Sequence, residues 1–194
     1  GGSELKVSEV SSATAVSQVF LNTNMAAAGG VLAALFMSLF MTGKMDVTMA
    51  INGAIAGLVS ITADPLSPAG GTAVIVGAIG GAIVYFSIVF LEKAGVDDPV
   101  GAISAHGTVG IYGVLVVALT GGASFMGQLT GVVMIAAFTY LASLGTIYVI
   151  NMVMPIRASD AEQEAGLDIS EVGIEAYPEF SKSADASPSV YPKK

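Results

Sequence analysis

No cysteine occurs in the 194 residues, so disulfides and thiolate metal sites are excluded and the redox compartment is left open. Charge is almost as scarce. Only 11% of residues are Asp, Glu, Lys or Arg, against 54% hydrophobic, and mean hydropathy is +0.77. Soluble domains run near 25% charged, so this composition cannot cover a soluble surface and places the chain in a lipid bilayer. The net charge of -8 gathers after Arg157, in Asp160, Glu162, Glu164, Asp168, Glu171 and Glu175. It therefore describes an acidic tail and not a nucleic-acid or lipid-binding face. The opening Gly1-Gly2-Ser3-Glu4 lacks a Met and a basic stretch ahead of a short apolar core, so it does not read as a signal peptide. Processing, a split gene and an engineered start all fit it.

A third scarcity is more informative. From Pro99 to Ile156 there is no Asp, Glu, Lys or Arg, and within that run stands the only histidine, His106. In a soluble protein a lone His among glycines is most often a satisfied core residue. In lipid an ionisable side chain needs a partner or a wet path, which makes it a functional candidate. On a regular helix His106, Gly110 and Gly113 follow i, i+4, i+7 spacing, which predicts one shared face where a helix or a narrow lumen comes close.

Five apolar segments are predicted to cross the membrane: about 18–41, 47–63, 71–91, 102–119 and 126–154. Each is read against the roughly 20 residues needed for a hydrocarbon core of about 30 Å. Residues 4–17 are polar and form a loop or a helix entry. Asp64-Pro65-Leu66-Ser67-Pro68 separates the second and third segments, since proline cannot continue a helix. Gly53 and Gly57, and again Gly77 and Gly81, have the small-xxx-small spacing that favours tight helix contact. Tight packing and a bundle around a narrow conduit are equally compatible with them. Lys44, Lys93 and Arg157 fall on one side of an alternating path, while the connectors at 64–70 and 120–124 carry no basic residue. The positive-inside rule puts those connectors outside and the tail in the cytoplasm. Residues 158–177 read as a structured cytoplasmic segment, and 178–194, rich in Ser, Pro and Lys, as a disordered extension.

Three motifs carry a resemblance. Asn52-Gly53-Ala54-Ile55-Ala56-Gly57-Leu58-Val59, Asp97-Asp98-Pro99 through His106-Gly107, and Glu162-Gln163-Glu164-Ala165-Gly166-Leu167-Asp168-Ile169-Ser170-Glu171 occur in the order and spacing of the ammonium transporter family (Amt/Mep/Rh). The chain resembles the C-terminal half of that family over roughly residues 1–177. The resemblance implies an all-α polytopic bundle matching helices seven to eleven of an eleven-helix inverted-repeat fold, assembled as a homotrimer with one pore per subunit. His106 matches the second member of a pore histidine pair. Ser3 matches a serine of the outer vestibule, and Asp98 matches an acidic position with a structural or conductance role. Gly166, Leu167 and Asp168 match a regulatory tail that docks PII-type signalling proteins.

The resemblance implies a transporter and not an enzyme. Ammonium is its substrate and the plasma membrane, in prokaryotes the inner membrane, its place; no metal, cofactor or nucleic acid enters. Ammonium would be recruited outside and deprotonated, and ammonia would pass His106. The first half of the family fold, which supplies the partner histidine and the aromatic gate, would come from elsewhere. Two rivals stand beside this reading: a membrane sensor or regulatory subunit that signals ammonium through its tail, and an unrelated helical scaffold whose glycines only pack helices.

Overall fold

The structure is a computed structural model, and it describes residues 9–178. Two compact units divide the chain, Gly1–Phe138 and Thr139–Lys194. The described residues of the first form helices α1 (Val10–Thr42), α2 (Val47–Ile61), α3 (Gly70–Lys93), a π-helical turn π1 (Ile103–Thr108), and α4 (Val109–Thr120), which continues it. Helix α5 (Phe125–Val153) runs through the boundary, and the second unit holds α6 (Asp160–Ala165) and a second π turn, π2 (Asp168–Val172). No strand occurs among the described residues.

Helix α1, α3, the continuous stretch Ile103–Thr120 and α5 are long and apolar enough to cross a membrane. The segment expected at 47–63 is shorter. Helix α2 has 15 residues, about 22 Å at the α-helical rise, because Asp64-Pro65 follows its last turn. Helix α1, with 33 residues, begins at Val10, eight residues ahead of the apolar run, and its first two turns alternate exposed with half-buried residues. The described part of the 178–194 segment is Pro178 alone; the disorder expected for that segment concerns residues otherwise outside the description.

The core of the first unit is made by backbone meeting backbone. A Cβ on Gly57 or on Gly77 would strike the backbone of Ala26, and one on Gly81 would strike that of Gly30. Gly53 likewise lies against Ala34 and Gly30. One turn of α1, from Ala26 to Gly30, is therefore held between the small-residue stripes of α2 and α3. Glycine costs about 1 kcal/mol against alanine in a helix interior. In lipid, dispersion across such close contacts offsets that cost. Ala56, Val84, Ala105 and Val109 then close a second cluster, which seats π1 and α4 on α2 and α3.

Polar side chains fix the connections. Asn22 on α1 is fully buried and donates from Nδ2 to the carbonyls of Pro65 (2.9 Å) and Pro68 (2.6 Å), pinning the α2–α3 loop. Ser38 donates to the Lys44 carbonyl (2.6 Å) and accepts from the Asp46 N–H (2.9 Å), which sets the α1–α2 turn. Asp46 caps α2 through the Met49 N–H. At the end of α3, Gly95 has φ +74°, and the Val96 and Gly95 N–H groups bond back to Leu91 and Glu92. That is the Schellman arrangement, and it turns the chain toward Asp98.

Candidate functional site

His106 lies in π1, where the Val109 N–H reaches back five residues to the Ser104 carbonyl. A π turn accommodates one more residue than an α turn and shifts the side chains on either side of it. The face-sharing expected of His106, Gly110 and Gly113 is corrected by this turn. Gly113 is buried, with its missing Cβ facing the carbonyls of Val59 (2.9 Å) and Ser60 (3.0 Å), whereas Gly110 only approaches Val59 and His106 is exposed. The glycine seam packs α4 on α2, and the imidazole is rotated away from it. Among the described residues His106 has no hydrogen-bond partner; beside it Thr108 shares a 2.9 Å hydrogen bond with Ser87 of α3.

The foot of the turn is built by Asp98. Pro99 at the second position of a turn allows the Gly101 N–H to close on the Asp98 carbonyl (3.0 Å). The Asp98 side chain then reaches over that turn. Its Oδ1 accepts from the Ile103 N–H (3.0 Å) and its Oδ2 from the Ser104 N–H (3.1 Å), supplying partners to orphan donors at a helix start. Desolvation pushes the Asp98 carboxyl up, but the N–H groups of Ile103 and Ser104 together outweigh it and hold the group below the ordinary carboxylate range. Gly101 has φ +74° and no Cβ, which leaves room for the Asn52 side chain, 2.6 Å from where that Cβ would stand. Asn52 donates to the Thr48 carbonyl (3.1 Å), and its Oδ1 is buried with no partner among the described residues. Sequence reasoning marked the Asn52 motif but not this contact, because nothing local pairs residue 52 with residue 101.

Asp98→Ala would strand two N–H donors at the base of π1. An expected destabilisation of about 1–2 kcal/mol follows from capping energetics. Because the folded-state pKa is lowered, the stabilisation from Asp98 is fully present above the ordinary carboxylate range and is lost as pH falls through the lowered value. Thermal melts of detergent-solubilised protein at pH 7 and near pH 3 check this: the gap between wild type and Asp98→Ala should shrink at the lower pH, and a constant gap contradicts the assignment.

Within the second unit Ser159 and Glu162 form a capping box at the start of α6. The Ser159 hydroxyl, and after it the Ser159 N–H, holds the Glu162 carboxyl below its usual range. Gly166 has φ +99° and its carbonyl accepts from the Ser170 N–H (3.0 Å). Asp168 Oδ2 accepts from the Ala176 N–H (2.9 Å), and that bond is the main cause of its lowered pKa. Leu167 between them is 44% exposed. Gly166 and Asp168 thus shape the fold of the segment, and Leu167 is left on its surface. Ser3 lies outside the described residues. No group of three or more His, Asp or Glu capable of holding a metal occurs among the described residues.

Residues 1–177 match the Ammonium Transporter Family. The chain is 34% identical to ammonium transporter Amt2 of Archaeoglobus fulgidus, over 85% of this chain and 40% of that protein. It is also 34% identical to ammonium transporter Amt2 of Methanocaldococcus jannaschii, over 92% and 42%. Among solved structures it superposes on one titled Sensor Amt Protein with a TM-score of 0.69 at 31% identity, covering 80% of this chain and 42% of that one. Candida albicans Mep2, solved as its N240A mutant, follows at 0.65 and 26%, covering 75% and 37%. The chain spans about two-fifths of the length of the curated relatives it matches. It is a membrane protein by its apolar helices, and it belongs to the ammonium transporter family.

Proposed function

We propose that this chain forms part of an ammonium transporter in which His106 lines the conducting path. The single observation that carries the reading is an ionisable side chain, exposed at a π turn of an apolar helix and without a partner among the described residues. A lipid-facing imidazole is expensive, whereas one facing a lumen completed by further helices is not. Inverted-repeat transporters build such lumens between two halves, with the site near the midplane. The relatives are named as ammonium transporters, which supports ammonium as the substrate.

Moving the bare cation through an apolar lumen costs many kcal/mol, while neutral ammonia passes cheaply. A neutral imidazole offers one donor and one acceptor nitrogen, so His106 can hydrogen-bond ammonia or carry a proton along a paired group. Ammonium is recruited outside and deprotonated at the entrance, and ammonia passes His106. In the assembled protein Ser3 stands at the outer vestibule, Asp98 holds the π turn that aims the imidazole, and the subunits form a homotrimer in the plasma membrane. The tail is cytoplasmic, with Gly166, Leu167 and Asp168 shaping a surface for a PII-type protein. The test is the composition and uptake of the detergent-purified complex. A companion polypeptide of about six helices, with ammonium uptake in liposomes, supports the proposal; a lone chain without uptake refutes conduction by this polypeptide.

A second reading has one observation in its favour, the likeness to the structure titled Sensor Amt Protein. Here the tail unit reports ammonium occupancy to a partner. Ammonium binding without uptake by the complete complex distinguishes it from transport.

A further inference from the structure

Two side-chain oxygens, Asn52 Oδ1 and Ser104 Oγ, are buried with no hydrogen-bond partner among the described residues. Asn52 is 4% exposed and Ser104 0%. They stand on elements that pack together, since Ala56 of α2 and Ala105 of π1 share one apolar cluster. A buried polar group without a partner is costly, and native structures meet it with another protein group or an ordered water.

Both oxygens belong to the foot of π1. Asn52 Oδ1 lies 2.6 Å from where a Cβ of Gly101 would stand, so the absent side chain leaves room in front of it. Gly101 and Ser104 share a turn, because the Gly101 carbonyl accepts from the Ala105 N–H (2.8 Å). The Ser104 hydroxyl is near enough to Asp98 to help hold that carboxyl down, yet it falls short of hydrogen-bond geometry. Asn52, Ser104 and Asp98 thus bring three oxygen groups to one turn.

Proton counting selects what they hold. Asn52 Nδ2 is engaged by the Thr48 carbonyl, so Oδ1 only accepts. Asp98 Oδ2, already on the Ser104 N–H, has a lone pair to spare and accepts as well. Ser104 has one proton to donate. A water answers all three, donating twice and accepting once. A cation would suit the two acceptors, but it would stand at the start of π1 and α4, the positive pole of the helix. The neutral molecule is favoured there.

We infer that Asn52 and Ser104 hold a buried water between α2 and π1, and that Asn52, acting through it, is a positioning residue for His106. This deepens the proposed transport function and rests on it. Ser104 is the residue on which the π turn closes: its N–H is held by Asp98, its carbonyl accepts the Val109 N–H, and His106 follows two residues later. A π turn is rare and competes with the ordinary α turn. Loss of the extra residue from the turn shifts the register by one position, about 100° of rotation at 3.6 residues per turn. The bridge to α2 opposes that rotation and so fixes the direction of the imidazole.

The experiment uses the complete transporter complex with Asn52→Ala, Ser104→Ala and the double variant. Alanine favours a helix, so Ser104→Ala carries the test if Asn52→Ala fails to fold. An electron cryo-microscopy map that resolves ordered water should show one peak within hydrogen-bond distance of both oxygens in wild type and none in either variant. In the variants the His106 imidazole should turn or lose density, and ammonium uptake in liposomes should fall about tenfold at saturating ammonium with half-saturation little changed. The double variant should lose no more than the larger single loss, because either substitution already breaks the same bridge. A wild-type map without the peak, or with Asn52 bonded directly to Ser104, overturns the inference. So do losses that multiply in the double variant, an unmoved imidazole, or unchanged uptake by both single variants of a transporting complex. A wild-type melting temperature raised by sodium chloride over choline chloride, and not raised in Ser104→Ala, assigns the site to a cation and overturns the water. The peak and the turned imidazole in a complex that takes up no ammonium refute the transport reading and leave the water bridge standing; a transporting complex without the peak refutes the bridge alone.

Discussion

His106→Ala in the assembled transporter is expected to abolish selective ammonium uptake, with a fall of roughly a hundredfold. The magnitude is that of removing a hydrogen bond to a charged or strongly polar group from a dry site, up to about 3 kcal/mol. Alanine leaves an apolar wall with neither donor nor acceptor, so ammonia loses its polar contact at that level and no proton can be handled there. The substitution is also clean. His106 is exposed and unpartnered among the described residues, so folding stability should change by no more than about 0.5 kcal/mol. Ammonium uptake in liposomes with potassium as competitor, together with a thermal melt, checks both halves. Wild-type flux and selectivity in the variant would remove His106 from the path, and a large stability loss would show that it is a packing residue after all.

The second large effect concerns the bundle itself. Gly81→Val should destabilise the first unit by about 3 kcal/mol and broaden or aggregate the detergent-solubilised protein on size exclusion. The new side chain meets backbone, the Cα, C and O of Gly30, and backbone cannot swing aside as the end of a flexible side chain can. Helices α1 and α3 would have to separate, giving up the close contacts that hold helices together in lipid. Gly131→Ala on α5 is the control. A Cβ there meets nothing within 4 Å, and alanine is the better helix former by about 1 kcal/mol, so that variant should be as stable as wild type or more so. If the two variants behave alike, the glycines are not the contact surface.

What was legible locally in the sequence was what composition and chain chemistry impose. Scarce charge demanded lipid, and hydrophobic runs broken by Thr42-Gly43-Lys44 and Asp64-Pro65 located α1, α2 and α3. The small-xxx-small pairs marked the faces that pack, because a missing Cβ is a local property. The limits were less legible: polar residues 10–17 continue α1, since a helix already propagating gains a bond for each residue added, and α2 stops early at the Asp64-Pro65 loop.

The sequence by itself determined that this is a helical membrane protein of the ammonium transporter family, with one imidazole in a long uncharged stretch. Only the tertiary structure decided where that imidazole points. A π turn is set by which N–H groups Asp98 captures and by how Ala105 and Val109 seat on Ala56 and Val84, contacts between residues far apart in the chain. Helical spacing alone put His106 in the glycine seam, and the extra residue in the turn rotated it out. The pairing of Asp64 with Gly121 is of the same kind. Fifty-seven positions separate them, and only the packing of α4 on α2 brings the Asp64 carboxylate against the glycine that ends α4.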